Sequence, residues 1–225
     1  MSNSSIAQPE QSLGSLAVQI PGATAVFRKL KLDFCCGGQQ SLNDACASKQ
    51  LDVNTVLDEI RALQEQSPPP DAPDTTSLIA HILQRFHEVH RQQLPELIRM
   101  ARRVEAVHRE HPDVPRGLAD HLEDMEEELL EHMAKEEQIL FPMLLAGGNP
   151  MVVHPIGMMR HEHLGHGAQL EKLAALARQH KAPAGACNTW RALYAGTARL
   201  TDDLIEHIHL ENNRLFPAFE RPAQH

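Results

Sequence analysis

Apolar residues after residue 74 follow a helical period over long stretches. They recur at spacings of three and four, and segments rich in proline or glycine interrupt them at HREHPDVPRG, AGGNPMVVHP and HKAPAGACN. The pattern predicts four long helices at about 76–108, 116–146, 156–180 and 189–220. Connections this short make neighbouring helices antiparallel, so we expect an all-α, up-down-up-down four-helix bundle.

Shorter helical signals precede the bundle. Ser41 followed by Asp44 is typical of a capping box, and Asp52 precedes an apolar run that is typical of an amphipathic helix. The segment QEQSPPPDAPD then carries four prolines, which favour an extended linker. The predicted organisation is a small helical di-cysteine domain at residues 1–63, a proline-rich linker at 64–74 and the bundle at 75–221.

Composition limits the classes of partner. The chain has 225 residues, 42% of them hydrophobic, which suffices for one domain of ordinary size and a small second one. A formal charge of -9 without clusters of lysine or arginine argues against nucleic acid and against an anionic membrane surface. The beginning, MSNSSIAQPE, lacks the features of a secretory signal, and no apolar run is long enough to span a bilayer. We therefore expect a cytoplasmic protein whose four cysteines are not a disulfide framework.

Two segments of the predicted bundle repeat each other. HMAKEEQILFP at 132–142 and HIHLENNRLFP at 207–217 share His, Glu, Leu, Phe and Pro at the same offsets. HEVHRQQLPEL at 87–97 and HLGHGAQLEKL at 163–173 also align, with an offset of 76 instead of 75. The bundle is therefore predicted to be two copies of one hairpin, each with a His on its first helix and His-x-x-x-Glu on its second. Packed about a pseudo-twofold axis, the copies would bring these groups to the centre.

The polar groups of the repeat are predicted to face the core. The apolar face of the second helix runs through Leu122, Met125, Leu129, Ile139 and Met143. His132 and Glu136 fall in a gap of that face, and His207 and Glu211 continue the apolar face of the fourth helix. A buried carboxylate is costly unless it is paired or bound to a metal, so we expect these groups to act together.

The repeat predicts a centre with two metal ions. His163 and His207 lie at nearly the same height in their helices, whereas counting residues from the helix ends does not choose between His87 and His90 opposite His132. Four histidines and two glutamates suit two ions, and a carboxylate-bridged pair inside a helical bundle is typical of di-iron proteins. The H-E-x-x-H pattern of zinc proteases is absent from the sequence.

The other histidines divide into two groups. His90 and His166 are predicted to be hydrogen-bonding partners behind the ligands, or plain core residues. Histidines without a counterpart in the repeat are predicted at the surface or in loops: His81, His108, His111, His121, His154, His161, His180, His209 and His225. The repeated Leu-Phe-Pro is interpreted as packing with a proline kink.

These motifs carry a resemblance to a known family. The four helices resemble the hemerythrin-like cation-binding domain, and HMAKEEQILFP, HIHLENNRLFP and FHEVHRQQLPEL look like the repair-of-iron-centres proteins of bacteria. VFRKLKLDFCCGGQQSL, with the Cys35-Cys36-Gly37-Gly38 core, resembles the short domain that precedes the bundle in those proteins. The resemblance covers nearly the whole chain, and it implies the same fold.

The resemblance also implies a ligand set and a cofactor. It favours His87 over His90 and implies two iron ions, bridged by oxo and carboxylate groups. The ligands that it implies are His87, His132, Glu136, His163, His207 and Glu211. Glu128 and Glu162 match acidic positions near the site and would support the ligands or form an iron exit.

The function implied by the resemblance is the repair of iron–sulfur clusters. It is that of a cytoplasmic protein, a monomer or a homodimer, made under nitrosative or oxidative stress, which donates iron to damaged iron–sulfur proteins or to an apo-scaffold. This is a non-enzymatic role. Two alternatives stay open: a protein that binds or sequesters NO or O₂ at the same metals, and an enzyme that reduces NO there.

The adjacent cysteines are open to two interpretations. Cys35 and Cys36 are either incidental thiols in a tight turn, or a mobile thiol pair that accepts iron or nitrosyl groups from the bundle. Flanking Gly37 and Gly38 would leave the sulfurs accessible. Adjacent cysteines rarely form an unstrained disulfide with each other, so a bridge to a second chain or to a metal is favoured.

Overall fold

The chain forms two compact units of α-helices. A computed structural model describes residues 6–66 and 74–220, and within them there are helices and no strands, only an isolated bridge between Ser12 and Ser41. Among these residues, one unit comprises those up to Asp74 together with those from Ile208 onward, and the other comprises Thr75–His207. The boundary between the units thus falls inside the last long helix. Most of the predicted linker, residues 67–73, lies outside the described residues, as does residue 221, so the predicted domain limits stay a prediction.

The first unit is built from short capped helices. They are α1 (Leu13–Gln19), α2 (Ala23–Leu30), α3 (Leu42–Ser48) and α4 (Val53–Gln66). The Ser41 hydroxyl accepts a hydrogen bond from the Asp44 amide at the start of α3. The Asp52 carboxylate accepts from the amides of Asn54 and Thr55 at the start of α4. Both predicted caps are therefore confirmed, since each satisfies amides that the first helical turn leaves without a partner.

Four long helices follow, each close to its predicted bounds. Helix α5 consists of Thr75–Ile82, Leu83–His87 and Glu88–Val107, and helix α6 consists of Leu118–Lys135, Glu136–Leu140 and Phe141–Leu145. A short 3₁₀ turn, Pro150–Val152, leads into α7 (Val153–Leu176). Helix α8 consists of Asn188–Leu210 and Glu211–Leu215, and α9 (Pro217–Glu220) follows it. No helix in these ranges is long and apolar enough to cross a bilayer.

Side-chain contacts fix the directions of the four helices. Wherever two helices are joined by two contacts, the later residue on one helix meets the earlier residue on the other, which is the antiparallel arrangement. The contacts are Arg91–Glu137 and Arg102–Glu123 between α5 and α6, Arg85–Asp203 and Gln93–Gly196 between α5 and α8, and Lys135–Glu162 and His121–Gln169 between α6 and α7. The predicted all-α, up-down-up-down bundle is confirmed.

Three segments of these helices are π-helical. They are Leu83–His87, Glu136–Leu140 and Glu211–Leu215, and each begins or ends at a residue predicted to bind metal. In the last two, the amides of Phe141 and Phe216 donate to carbonyls five residues earlier. The following proline has no amide hydrogen and its ring clashes with the carbonyl four residues back, so a widened turn accommodates it. The repeated Leu-Phe-Pro therefore ends a π segment, where the sequence suggested a kink.

The π segment in α6 overturns part of the predicted core. Ile139 was expected on the buried face, but its side chain is 54% exposed. Leu140 and Leu144 are buried in its place, one residue later than Ile139 and Met143. A π turn holds one more residue than an α turn, so it shifts the apolar face by one position.

Two histidines expected at the surface or in loops are buried. His121 is 3% exposed, and its Nε2 donates to the carbonyl of Gln169 at 2.9 Å. His209 is 2% exposed in the first unit, where its ring packs against Phe34. Burial lowers the pKa of His209 to about 4, and the charges of Arg214 and Arg28 act in the same direction. These expectations were wrong because a hydrogen bond or an aromatic contact inside the protein can offset the cost of burying an imidazole.

Candidate metal centre

Four buried imidazoles meet in two equivalent pairs. Nε2 of His87 on α5 lies 3.2 Å from Nε2 of His207 on α8, and Nε2 of His132 on α6 lies 3.2 Å from Nε2 of His163 on α7. The ring centroids are 4.9 Å apart in both pairs, at interplanar angles of 61° and 62°. Each pair combines one helix from each copy of the hairpin. The distances and angles of the two pairs agree closely, as expected when the two hairpins are related by a pseudo-twofold axis.

One carboxylate lies between the pairs. Oε2 of Glu136 is 3.4 Å from Nε2 of His87 and 3.6 Å from Nε2 of His132. Ligand atoms of Glu136, His87 and His207 lie within 4.8 Å of one another, and so do those of Glu136, His132 and His163. Glu136 is completely buried, as are three of the four histidines, and His132 is 1% exposed. Two clusters of metal-ligating groups therefore share one glutamate.

The second glutamate of the repeat comes from the last helix. Glu211 follows His207 by four residues, and α8 runs through both without a break. Residues four apart share a helix face, and the side chain of Glu211 is completely buried. Glu136 follows His132 in the same way on α6. The helix thus gives Glu211 the position in the second copy that Glu136 has in the first.

Two further carboxylates lie behind the histidines. Nδ1 of His87 is 2.7 Å from Oε1 of Glu137, and Nδ1 of His132 is 2.8 Å from Oε2 of Glu162. An ionised carboxylate can only accept a hydrogen bond, so the proton of each ring lies on Nδ1. The lone pair of Nε2 then points into the cluster, which is the orientation that metal-binding histidines require.

Basic side chains hold these outer carboxylates in the ionised form. The hydrogen bond from His132 lowers the pKa of Glu162 to about 2 against the opposing effect of burial, and a hydrogen bond from Lys135 adds to it. Burial would raise the pKa of Glu137, but hydrogen bonds from His87 and Arg91 outweigh it and lower the pKa. Each outer carboxylate therefore ties one buried imidazole to a cation nearer the surface.

Comparison with known proteins agrees with this arrangement. Residues 78–219 match the family described as Hemerythrin HHE cation binding domain, and residues 9–64 match the family described as Domain of Unknown function (DUF542). The chain is 50% identical over 212 residues to the iron-sulfur cluster repair protein YtfE of Musicola paradisiaca, covering 92% of this chain and 95% of that protein. It is 48% identical over 217 residues to the YtfE of Pectobacterium atrosepticum, covering 94% and 97%.

The chain belongs to the YtfE family of iron–sulfur cluster repair proteins. All six predicted metal-binding positions lie within the residues that match the hemerythrin family, and the cysteine pair lies within the region that matches the second family. A cation-binding domain with buried clusters of histidine and glutamate forms a metal site. Its nitrogen and oxygen donors, together with the family, indicate iron.

The spacing of the donors fits metal ions in this YtfE-family bundle. Two nitrogens bound at right angles to one ion, at the distance of about 2.1 Å found in zinc sites, lie about 3.0 Å apart. The observed separation of 3.2 Å in both histidine pairs is close to that value. The residues can therefore hold one ion at each pair with Glu136 beside both.

The remaining predicted residues take different positions. His90 packs its ring at 5.5 Å from that of His207, and His166 packs at 4.9 Å from that of His132. Both are buried, and burial lowers the pKa of His166 to about 4. Glu128 is exposed on α6, whereas Glu162 contacts His132. The role proposed for each of these residues stays a prediction.

Glu137 is the contact that the sequence analysis missed. It follows Glu136 directly, but the offset of the repeat places Asn212 at the corresponding position in the second copy. Glu162 likewise corresponds to Phe86, whose ring stacks on His207 at 5.3 Å with an interplanar angle of 2°. The repeat preserves the inner ligands and not their supports, so comparison of the copies could not reveal Glu137.

Cys35 and Cys36 lie in the first unit, in the loop between α2 and α3. Their sulfurs are 3.7 Å apart, and Sγ of Cys35 is 3.3 Å from Oδ1 of Asp33. The pKa of Cys35 is raised, first because its thiol donates to Cys36 and then because of burial and the charge of Asp33.

Proposed function

We propose that the bundle holds two iron ions and that the protein repairs damaged iron–sulfur clusters by donating iron. The proposed ligands are His87, His132, Glu136, His163, His207 and Glu211. The observation that carries the proposal is the pair of matching histidine clusters on either side of one buried carboxylate. A single structural zinc ion would need four ligands and usually some thiolate, so it leaves two of these six residues without a role.

The chain's own residues make the site suitable for holding and releasing iron. Imidazole and carboxylate bind ferrous iron less firmly than thiolate does, so the cysteines of a damaged cluster can compete for the ion. Glu137 and Glu162 orient His87 and His132, and their side chains are 31% and 22% exposed. Two of the four imidazoles are thus held through groups that water reaches. When bound, the iron is itself the cargo that would be donated to a damaged cluster.

A purified repair assay tests the proposal. Iron-loaded full-length protein is incubated anaerobically with an NO-damaged [4Fe–4S] enzyme, and the recovery of enzyme activity is followed together with the movement of radiolabelled iron. We expect the activity of the damaged enzyme to recover as labelled iron moves to it from the bundle. Both the recovery and the transfer should be lost when Glu136→Ala prevents iron from being loaded. The variant Gln138→Ala, two residues away and exposed, is the matched control.

NO consumption in the same preparations separates the alternatives. If the protein reduces many NO molecules per site with an added electron donor and delivers no labelled iron, it is a reductase and the proposal is wrong. If it binds NO without turnover and without delivering iron, it sequesters NO. Recovery of the damaged enzyme without transfer of the label would also contradict donation.

A further inference from the structure

A second cluster of metal-ligating groups lies far from the histidines in the sequence. Asp33, Cys35 and Cys36 each place one ligand atom within 4.8 Å of the other two. Sγ of Cys35 is 3.3 Å from Oδ1 of Asp33 and 3.7 Å from Sγ of Cys36. Asp33 is exposed and both thiols are half-buried, so an ion can reach them from solvent.

We propose that Asp33, Cys35 and Cys36 bind one thiophilic divalent metal ion, Zn²⁺ or Fe²⁺. Two thiolates at about 2.3 Å from a tetrahedral ion lie about 3.8 Å apart, close to the separation of the two sulfurs here. When the ion binds, the two thiols lose their protons to water, and one divalent ion takes the place of these two protons. The fourth position is left for water or for a thiolate of a partner protein.

The carboxylate of this cluster is already oriented. Oδ1 of Asp33 accepts hydrogen bonds from the amides of Cys35 at 3.2 Å and Cys36 at 3.0 Å, and Oδ2 accepts from the amide of Gly37 at 2.9 Å. These bonds fold the loop back over its own aspartate. The side chain therefore loses little conformational freedom when an ion binds, which favours affinity.

The loop is also fastened to the last helical turns of the first unit. Nδ2 of Asn212 donates to the carbonyl of Cys35, and Nδ2 of Asn213 donates to the carbonyl of Phe34, both at 3.1 Å. A Cβ on Gly38 would lie 2.5 Å from the carbonyl oxygen of Phe34 and 2.9 Å from Oδ1 of Asn213, so this position requires glycine. These hydrogen bonds connect the loop to the end of α8, and the predicted mobility of the thiol pair stays a prediction.

The anchoring residues come directly after a proposed iron ligand. Asn212 follows Glu211, and it corresponds in the repeat to Glu137, which supports a histidine in the first copy. In the second copy this position instead holds the backbone of Cys35. An iron-accepting role for the cysteine cluster rests on the proposed function, but binding of an ion by the cluster does not.

Cobalt titration of the full-length, reduced protein tests the site. Co²⁺ also enters the histidine clusters, but only sulfur ligands give the near-ultraviolet thiolate-to-cobalt charge-transfer band. We expect this band to saturate at one Co²⁺ per chain in the wild type and to disappear in the double variant Cys35→Ser with Cys36→Ser. Cys187→Ser, which removes a half-buried thiol of the other unit, should leave the band unchanged.

Two further variants keep the test sharp. Asp33→Asn should weaken Co²⁺ binding by at least about 10-fold. Gly38→Ala should weaken it without removing a ligand, whereas Gly165→Ala, where a Cβ meets nothing within 4 Å, should have no effect. Circular dichroism of each metal-free variant establishes that it is folded.

Three results would overturn the proposed site. They are the absence of a sulfur band at any Co²⁺ concentration, a band that survives the double cysteine variant, and saturation at half a Co²⁺ per chain, which would mean an ion shared by two chains. A wild type that shows the band but fails the repair assay would contradict the proposed function and not this site.

Discussion

The two copies of the repeat carry the same inner residues in different surroundings. In the first copy, at 132–142, the residue after the glutamate is Glu137, which accepts a hydrogen bond from His87. In the second copy, at 207–217, it is Asn212, which donates to the loop of Cys35. An acceptor has become a donor, and the partner has changed from an imidazole to a backbone carbonyl. The inner residues are thus the same in both copies, whereas the residue after the glutamate orients an imidazole in one copy and holds the loop of Cys35 in the other.

The π segments are the part of the comparison that has not diverged. Glu136–Leu140 and Glu211–Leu215 both begin at the glutamate and both end just before Phe-Pro. The widened turn moves the apolar positions by one residue after the ligand, so Leu140 and Leu215 are buried in the two copies. In both copies, therefore, a π segment that starts at the glutamate and ends before Phe-Pro shifts the buried positions after it by one residue.

Removal of either glutamate of the proposed ligand set should have the largest effect. Glu136→Ala and Glu211→Ala should each lower retention of iron by more than about 100-fold, because each removes a ligand and not a support. His90→Ala and His166→Ala, which remove rings that pack beside the proposed ligands, should lose much less. Iron retention under competition with a chelator measures this. Equal losses in all four variants would mean that the ligand set is misassigned.

Removal of an outer carboxylate should have an intermediate effect. Glu137→Gln and Glu162→Gln should lower iron affinity by about 10- to 100-fold, since the amide no longer fixes the proton on Nδ1 of His87 or His132. Asn212→Ala, at the position that corresponds to Glu137, should leave iron affinity within a few-fold of the wild type. The same chelator competition provides the measurement. A loss in Asn212→Ala as large as that in Glu137→Gln would remove the distinction between the copies.

Removal of the loop anchors should have the smallest effect on the bundle, where it changes stability instead of iron binding. Asn213→Ala should lower the free energy of unfolding by about 1 to 2 kcal/mol, because the carbonyl of Phe34 loses its donor. Gln138 corresponds to Asn213 in the first copy and is exposed, so Gln138→Ala should change stability by less than about 0.5 kcal/mol. Urea unfolding of the metal-free proteins compares them. Equal changes would show that Asn213 does not hold the loop.

The bundle and the buried histidines and glutamates of the repeat could be predicted because the sequence shows them directly, as a helical spacing of apolar residues and as an internal repeat. The helix bounds follow from apolar spacing and from prolines and glycines, and the repeat brings His132, Glu136, His207 and Glu211 to notice without any structure. Height along the helices could not decide between His87 and His90. The structure places Nε2 of His87 at 3.2 Å from that of His207, whereas the ring centroid of His90 lies 5.5 Å from that of His207.

The outer contacts could not be predicted because they depend on rotation and on distant neighbours. The π turn in α6 shifts the buried face by one residue. Ile139 is therefore exposed, although the α-helical period places it in the core. The carbonyl of Cys35 accepts a hydrogen bond from Asn212, which is 177 residues away, and no local sequence pattern connects the two residues. Burial of His121 depends on a carbonyl of another helix in the same way.

Iron content is the most direct test of the central claim. Full-length protein produced in iron-replete cells and purified anaerobically is analysed for metals, and its Mössbauer spectrum is recorded. The two matching histidine clusters predict two iron ions per chain in closely similar environments of nitrogen and oxygen ligands. One metal ion per chain, or zinc at full occupancy, would contradict the account.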